Sequence, residues 1–321
     1  MALATRVKTC DVDTLAFKGM ALAEAILRPL AQKGFAVLDA NADDDLLRGA
    51  LREAKRLEDD GRFEMPPPQI VAGLLGEEGS AAVCDRVVAP AEGEASGKLP
   101  HLCRADSYLT DLATTMLPLL GPELGLTVES RTTSMLHRAG EAFDEEPAYL
   151  TEAAADAWLT QFVNHRLMLL YFLGPGEGLL ELQPFHHTDT PAHKVTTQPG
   201  TVVVLRADSL LHSFSAQRVS YSLTCWLNQD SLDAERRDYS DDAVVPCARA
   251  LMKWIMQRLK ELKNDEVMTE SGPVWNESIP RHWQSTMNHM YFKGPQTAVR
   301  SVASHFPSGW DTFASWSSLN V

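Results

Sequence analysis

His187-Thr-Asp189 sets an imidazole and a carboxylate two residues apart, and His212 follows 23 residues later. Residues i and i+2 of a strand share a face, so such a pair can reach one metal ion together. Arg218, six residues beyond His212, carries the planar fork that grips a carboxylate through two parallel hydrogen bonds. Each residue also has a plainer role open to it. His187 stands with His186 and His193 in a stretch that reads equally as a solvated polar loop. His212 suits a structural histidine at a strand start, and Arg218 a surface salt bridge. Glu145 and Glu146 are carboxylates of ligand type that also suit an acidic surface. The chain has no G-x-S-x-G elbow, Walker A loop or G-x-G-x-x-G turn, and no cysteine lies in a nucleophile motif, so no catalytic residue is assigned.

These residues need elements to hold them. Residues 20–33 have helical spacing, with Leu22, Ile26, Leu27 and Leu30 on one side, and Pro29 weakens the second half. Gly34 is a stop, and Phe35–Leu38 reads as a short strand. Asp43, Asp44 and Asp45 suit the N-terminus of a helix that ends near Gly61. Residues 62–100, with three consecutive prolines from Pro66, are irregular and are expected on the surface. Residues 106–120 return to a helix. The apolar run Leu167–Leu173 predicts a strand buried on both faces. Leu179–Phe185, His193–Thr197, Thr201–Leu205, Leu211–Ser215 and Val219–Leu227 follow as strands with no helix between them. Closely spaced strands of this kind predict an antiparallel barrel or jelly roll. Residues 244–263 form an amphipathic helix with Leu251, Trp254, Ile255, Leu259 and Leu262 on its apolar side.

Composition narrows the partners. A net charge of −14 repels phosphate, which argues against nucleic acid and an anionic membrane surface. Five widely separated cysteines without a C-x-x-C pair argue against a disulfide framework or zinc knuckle and suit a reducing compartment. Neither a signal peptide nor a membrane span is legible, so an intracellular, cytoplasmic or plastid protein is expected.

The order of elements over residues 15–230 resembles the iron- and 2-oxoglutarate-dependent oxygenases of the prolyl-hydroxylase type. Lys33-Gly-Phe-Ala-Val-Leu-Asp39 is similar to their opening strand, and Leu169-Leu-Tyr-Phe-Leu173 with Gly176-Glu-Gly-Leu-Leu-Glu-Leu182 to a central strand pair. Pro199-Gly-Thr-Val-Val-Val-Leu205 resembles their sixth core strand, Leu211-His212 the strand of the distal iron ligand, and Arg218 with Ser220 to Trp226 the final strand. The resemblance implies an α+β fold. Its core is a double-stranded β-helix (jelly roll), with flanking N-terminal helices and a C-terminal helix. The corresponding domains are 1–125, a helical and strand support region; 126–230, the β-helix; and 231–295, a helical extension.

The same resemblance implies Fe(II) held by two histidines and one carboxylate, with open positions for 2-oxoglutarate and oxygen. The family's H-x-D pair lies on the second core strand, which belongs just after Met135–Gly140. Phe143-Asp-Glu-Glu-Pro147 stands there instead. His187-Thr-Asp189 falls at the end of the fourth strand, and 23 residues at roughly 3.3 Å each cannot supply the strands that separate the family's pair from its distal histidine. A non-standard set of His187, Asp189 and His212, with Arg218 on the oxo-acid, therefore stands beside a β-helix with no cofactor.

Thr297-Ala-Val-Arg-Ser-Val-Ala-Ser-His-Phe-Pro307 resembles the opening of a ketosynthase domain, and Ser308-Gly-Trp-Asp-Thr-Phe-Ala-Ser-Trp-Ser-Ser-Leu319 continues the likeness. This implies the N-terminal region of a dinoflagellate-type polyketide synthase, with 296–321 the truncated start of a ketosynthase. The implied partners are that ketosynthase or other synthase domains. The ketosynthase's cysteine and histidines lie beyond its opening strand, so no ketosynthase activity is expected of this stretch. The expected function is an accessory domain with an oxygenase-like β-helix lacking the standard iron site. The alternative is an active oxygenase with the non-standard ligands.

Overall fold

A computed structural model describes residues 10–84, 99–141, 143, 145–185, 191–229 and 245–270. The chain divides into two units, Met1–Ala148 with Phe162–Ala248, and Tyr149–Gln161 with Arg249–Val321.

In the larger unit, β1 (Val12–Asp13) leads to α1 (Met20–Lys33) and β2 (Phe35–Asp39). Pro29 removes one bond from α1, yet the helix runs on to Lys33 because Ile26, Leu27 and Leu30 bury its apolar face. Gly34 ends it in the left-handed region at φ 82°, returning its N–H to the Leu30 carbonyl. Asp43 caps α2 (Asp44–Asp59) by accepting the Leu46 N–H. A short 3₁₀ turn (Val71–Gly73), α3 (Gly76–Gly79) and β3 (Ala82–Cys84) follow, and then α4 (Pro100–Leu124). Next come β4 (Ser130–Arg131), β5 (Met135–Ala139) and α5 (Glu152–Asn164), whose last turn belongs to this unit. Six strands complete it: β6 (His165–Pro175), β7 (Gly178–Pro184), β8 (His193–Thr197), β9 (Thr201–Arg206), β10 (Leu210–Ala216) and β11 (Ser220–Asn228).

The strands make two sheets. The larger runs β1-β2-β9-β6-β11-β5-β3, with β4 also on β11, and the smaller runs β10-β7-β8. The chain crosses from β6 to the small sheet, returns at β9, crosses again at β10 and returns at β11. That alternation is a double-stranded β-helix, so the class is α+β as the sequence implies. Alternate residues of the large sheet, Leu136, Leu167, Leu169, Tyr171, Val204 and Leu223 among them, pack in one core with Ile26 and Leu30 of α1 and Leu109 and Met116 of α4. The intervening residues face the small sheet. Phe172 and Phe214 meet across that interior with ring centroids 4.9 Å apart.

Two stretches differ from expectation. Residues 62–84 are not surface: Phe63, Ile70, Leu74, Leu75, Ala82 and Cys84 are buried. Their apolar residues come singly and in pairs, so neither the period of a helix nor that of a strand betrays them. The second strand expected after Gly140 is also not seen among the described residues, and α5 follows instead. The edge of β10 that such a strand would cover carries the segment Leu74–Ser80, whose Leu75 carbonyl accepts the Phe214 N–H at 2.9 Å.

In the smaller unit, α6 (Arg249–Glu270) bears Leu251, fully buried, and Trp254, Ile255 and Leu259, half-buried, as the spacing predicts; Leu262 is exposed. Arg258 bonds Glu152 at 2.7 Å and Glu261 at 3.1 Å. Among the described residues, no helix is long and apolar enough to cross a membrane.

Candidate functional site

Strand alternation decides what enters the β-helix. On β10, Leu210, His212 and Phe214 are buried and the residues between them are not. On β7 the inward pair is Leu180 and Leu182, and His212 stands opposite Leu182 in the β7–β10 register. The interior is apolar apart from a few polar side chains. Three of these are histidines: His137 on β5, His165 at the start of β6, and His212.

His137 is fully buried and satisfied at both nitrogens. Nδ1 lies 3.0 Å from Ser80 Oγ, and Nε2 lies 2.8 Å from Thr224 Oγ1 of β11. Ser80 Oγ in turn accepts the Leu75 N–H at 3.0 Å. His212 donates from Nε2 to the Leu74 carbonyl at 2.5 Å, while its Nδ1 has no properly formed hydrogen bond. His165 packs edge-on against Phe162, and neither of its ring nitrogens makes a properly formed bond. Ser222 Oγ, opposite His137 in the β5–β11 register, is also buried without a partner.

Burial pushes His137 down to about 3, helped by the nearby charge of His212. Burial does the same for His165, to about 3, with His212 and Arg166 adding to it. His212 is lowered by burial against the opposing pull of the Leu74 and Leu210 carbonyls. All three rings are therefore neutral at neutral pH.

Of the residues the sequence singles out, His212 alone enters this interior among those described. His187 and Asp189 lie outside the described residues. Arg218 is exposed in the bend between β10 and β11, with its backbone carbonyl packed against Gly140. Glu145 and Glu146 are exposed. The described residues do not fit an iron and 2-oxoglutarate site. The Nε2 of His212 is spent as a donor to a carbonyl, and a nitrogen that carries a proton is no metal ligand. Among the described residues, no three His, Cys, Asp or Glu side chains converge as ligands. Sequence reasoning missed His137, His165 and Ser80. No alternation marks His137, since β5 reads Met-Leu-His-Arg-Ala with all five residues buried, and Ser80 sits in an aperiodic stretch.

A second polar feature lies on the helical layer. Gly49, Arg52, Glu53, Arg56 and His101 line a shallow cleft of about 270 Å³. Its buried carboxylate, Glu53, is consumed by the start of α4, accepting the His101 and Leu102 N–H groups and bonding His101 Nδ1 at 2.7 Å.

No family model matches this sequence, and neither does any curated protein. Solved structures do resemble it. One is a Trichoplax adhaerens prolyl hydroxylase in complex with a peptide fragment of the hypoxia inducible factor oxygen degradation domain. It is 14% identical over 68% of this chain and 93% of its own, with a TM-score of 0.47. Another is a Pseudomonas putida prolyl-4-hydroxylase, 18% identical over 64% and 99%, with a TM-score of 0.45. A third, the non-heme alpha ketoglutarate dependent epimerase SnoN from nogalamycin biosynthesis, is 15% identical over 68% and 90%, with a TM-score of 0.39.

Proposed function

We propose that this chain is an accessory domain of a polyketide synthase, built on a β-helix whose interior is packed shut in place of an iron and 2-oxoglutarate site. The observation that carries the first half of this reading is the seat of Leu74–Ser80. The segment stands on the free edge of β10, where a strand bearing a first ligand pair belongs, and its Leu74 carbonyl takes up the Nε2 of His212. The likeness of residues 297–319 to a ketosynthase opening supports the second half; those residues lie outside the described ones. A transcript joining this reading frame to a ketosynthase is expected, and one lacking any ketosynthase overturns that half.

The active-oxygenase reading keeps one observation in its favour. Leu210 pairs with Pro184, so the chain leaves β7 beside the strand that carries His212, and His187 and Asp189 follow within five residues. Anaerobic titration with Fe(II) and 2-oxoglutarate separates the two. No binding is expected; micromolar binding that His212→Ala abolishes overturns the accessory reading in favour of the oxygenase.

A further inference from the structure

The cleft on the helical layer is assembled around a histidine held in one orientation. Glu53 of α2 accepts the His101 N–H at 3.1 Å and the Leu102 N–H at 2.8 Å, and its Oε1 lies 2.7 Å from His101 Nδ1. A carboxylate only accepts, so Nδ1 carries the proton and Nε2 is left for other partners. Gly49, one turn before Glu53, lets the imidazole rest on the helix: a Cβ there would lie 2.2 Å from the ring. Glycine in a helix interior is unfavourable, so its place here marks a close approach. The first amides of α4 are spent on Glu53, so the cleft is more than an open helix end.

Two guanidinium groups complete the walls. Arg52 and Arg56 stand one helical turn apart, both exposed, and with His101 they line a space of about 270 Å³. Arg48, one turn earlier, is turned to Asp44 at 3.4 Å, whereas Arg52 has no ion pair or hydrogen bond among the described residues. The nearby acids do not cancel this charge. Glu53 is 8% exposed and already saturated by His101 and Leu102. Asp45, 3.6 Å from His101 Nε2, also faces Arg104 at 4.0 Å. The net charge of −14 is spread over the whole chain, and charges beyond about 8–10 Å are screened at physiological salt. The local guanidinium pair therefore sets the potential in the cleft.

We propose that Arg52, Arg56 and His101 form a site for a dianionic phosphate group, free or as a monoester. Each guanidinium fork offers paired donors to phosphate oxygens, a match that an ammonium does not make. His101 Nε2 adds a third nitrogen and, once protonated, a third donor. The volume lies just under the ~300 Å³ at which pockets for larger ligands begin, which suits a small phosphate ligand. A nucleic acid would bring many phosphates against an acidic protein, whereas one small dianion meets the cleft alone.

Calorimetric titration of the full chain with inorganic phosphate, at an ionic strength held constant with chloride, tests it. The wild type is expected to bind saturably at a single site. Arg52→Gln removes an exposed side chain and leaves the core untouched; it is expected to weaken binding about tenfold, the scale of one charge-assisted hydrogen bond. Gly49→Ala, whose methyl displaces the His101 ring, should weaken binding too, and Arg56→Gln takes its place if that protein fails to fold. Arg48→Gln, outside the cleft, should bind as the wild type does. No saturable binding by the wild type overturns the proposal, and so does Arg52→Gln binding as tightly as the wild type. An equal loss in Arg48→Gln and Arg52→Gln also overturns it, since that marks a general basic face. Glycerol phosphate as a second probe separates the two sources: tighter binding than inorganic phosphate assigns the site to a monoester, and weaker binding assigns it to the free ion.

Discussion

Three neutral imidazoles inside one β-helix make its stability depend on acid. An unfolded histidine has a pKa near 6.5, whereas His137 and His165 in the fold sit at about 3. Their folded values are depressed, so between pH 3 and 6.5 the unfolded chain binds more protons than the folded one. Stability is therefore level above about pH 7 and falls as pH drops below 6.5. Two groups set a limiting slope of about 2.7 kcal/mol per pH unit until the folded values are reached. His212 is lowered too and adds in the same direction. Urea unfolding from pH 4 to 8 reads this slope directly. His165→Phe, placed beside Phe162, should remove about one proton from it; a slope unchanged by that substitution would show that His165 is charged or exposed in the fold.

At the level of elements, local pattern and long-range contact part company. Alternation and helical spacing announce α1, β2, α2 and the strands from β6 to β11 because each carries a continuous apolar face. His212 was readable as an inward residue for the same reason. Ser80 and His137 were not readable as partners, because 57 residues separate them and only the folded chain brings them to 3.0 Å. The segment Leu74–Ser80 escapes notice since its burial comes from occupying a vacant sheet edge, which no local period encodes. Glu53 is a similar case: it lies within α2 yet serves the N-terminus of α4, 48 residues on. It is 8% exposed and accepts the first two amides of that helix. Glu53→Ala leaves those donors without their buried acceptor, and a loss of about 1–3 kcal/mol is expected. Thermal denaturation followed by circular dichroism measures it; Glu53→Gln, which keeps an acceptor, should recover part of the loss.

For the whole β-helix unit, cohesion depends on how its two sheets meet. Phe214 is the joint. It is 2% exposed, its ring lies 4.9 Å from Phe172 of the large sheet, and its edge rests on the backbone of Gly178. A Cβ at Gly178 would stand 2.2 Å from that ring and 2.8 Å from the Ser215 carbonyl oxygen, so the ring or the strand must shift. Phe214→Ala should cost about 3–5 kcal/mol through lost burial and the cavity left behind. Gly178→Ala alone should also destabilise, since the ring has nowhere to go. Together the two should cost less than their sum, because the smaller side chain at 214 makes room for the new methyl. Equilibrium urea unfolding of the four proteins completes the cycle. Strict additivity would mean that the glycine and the phenylalanine do not act on each other across the β7–β10 pair.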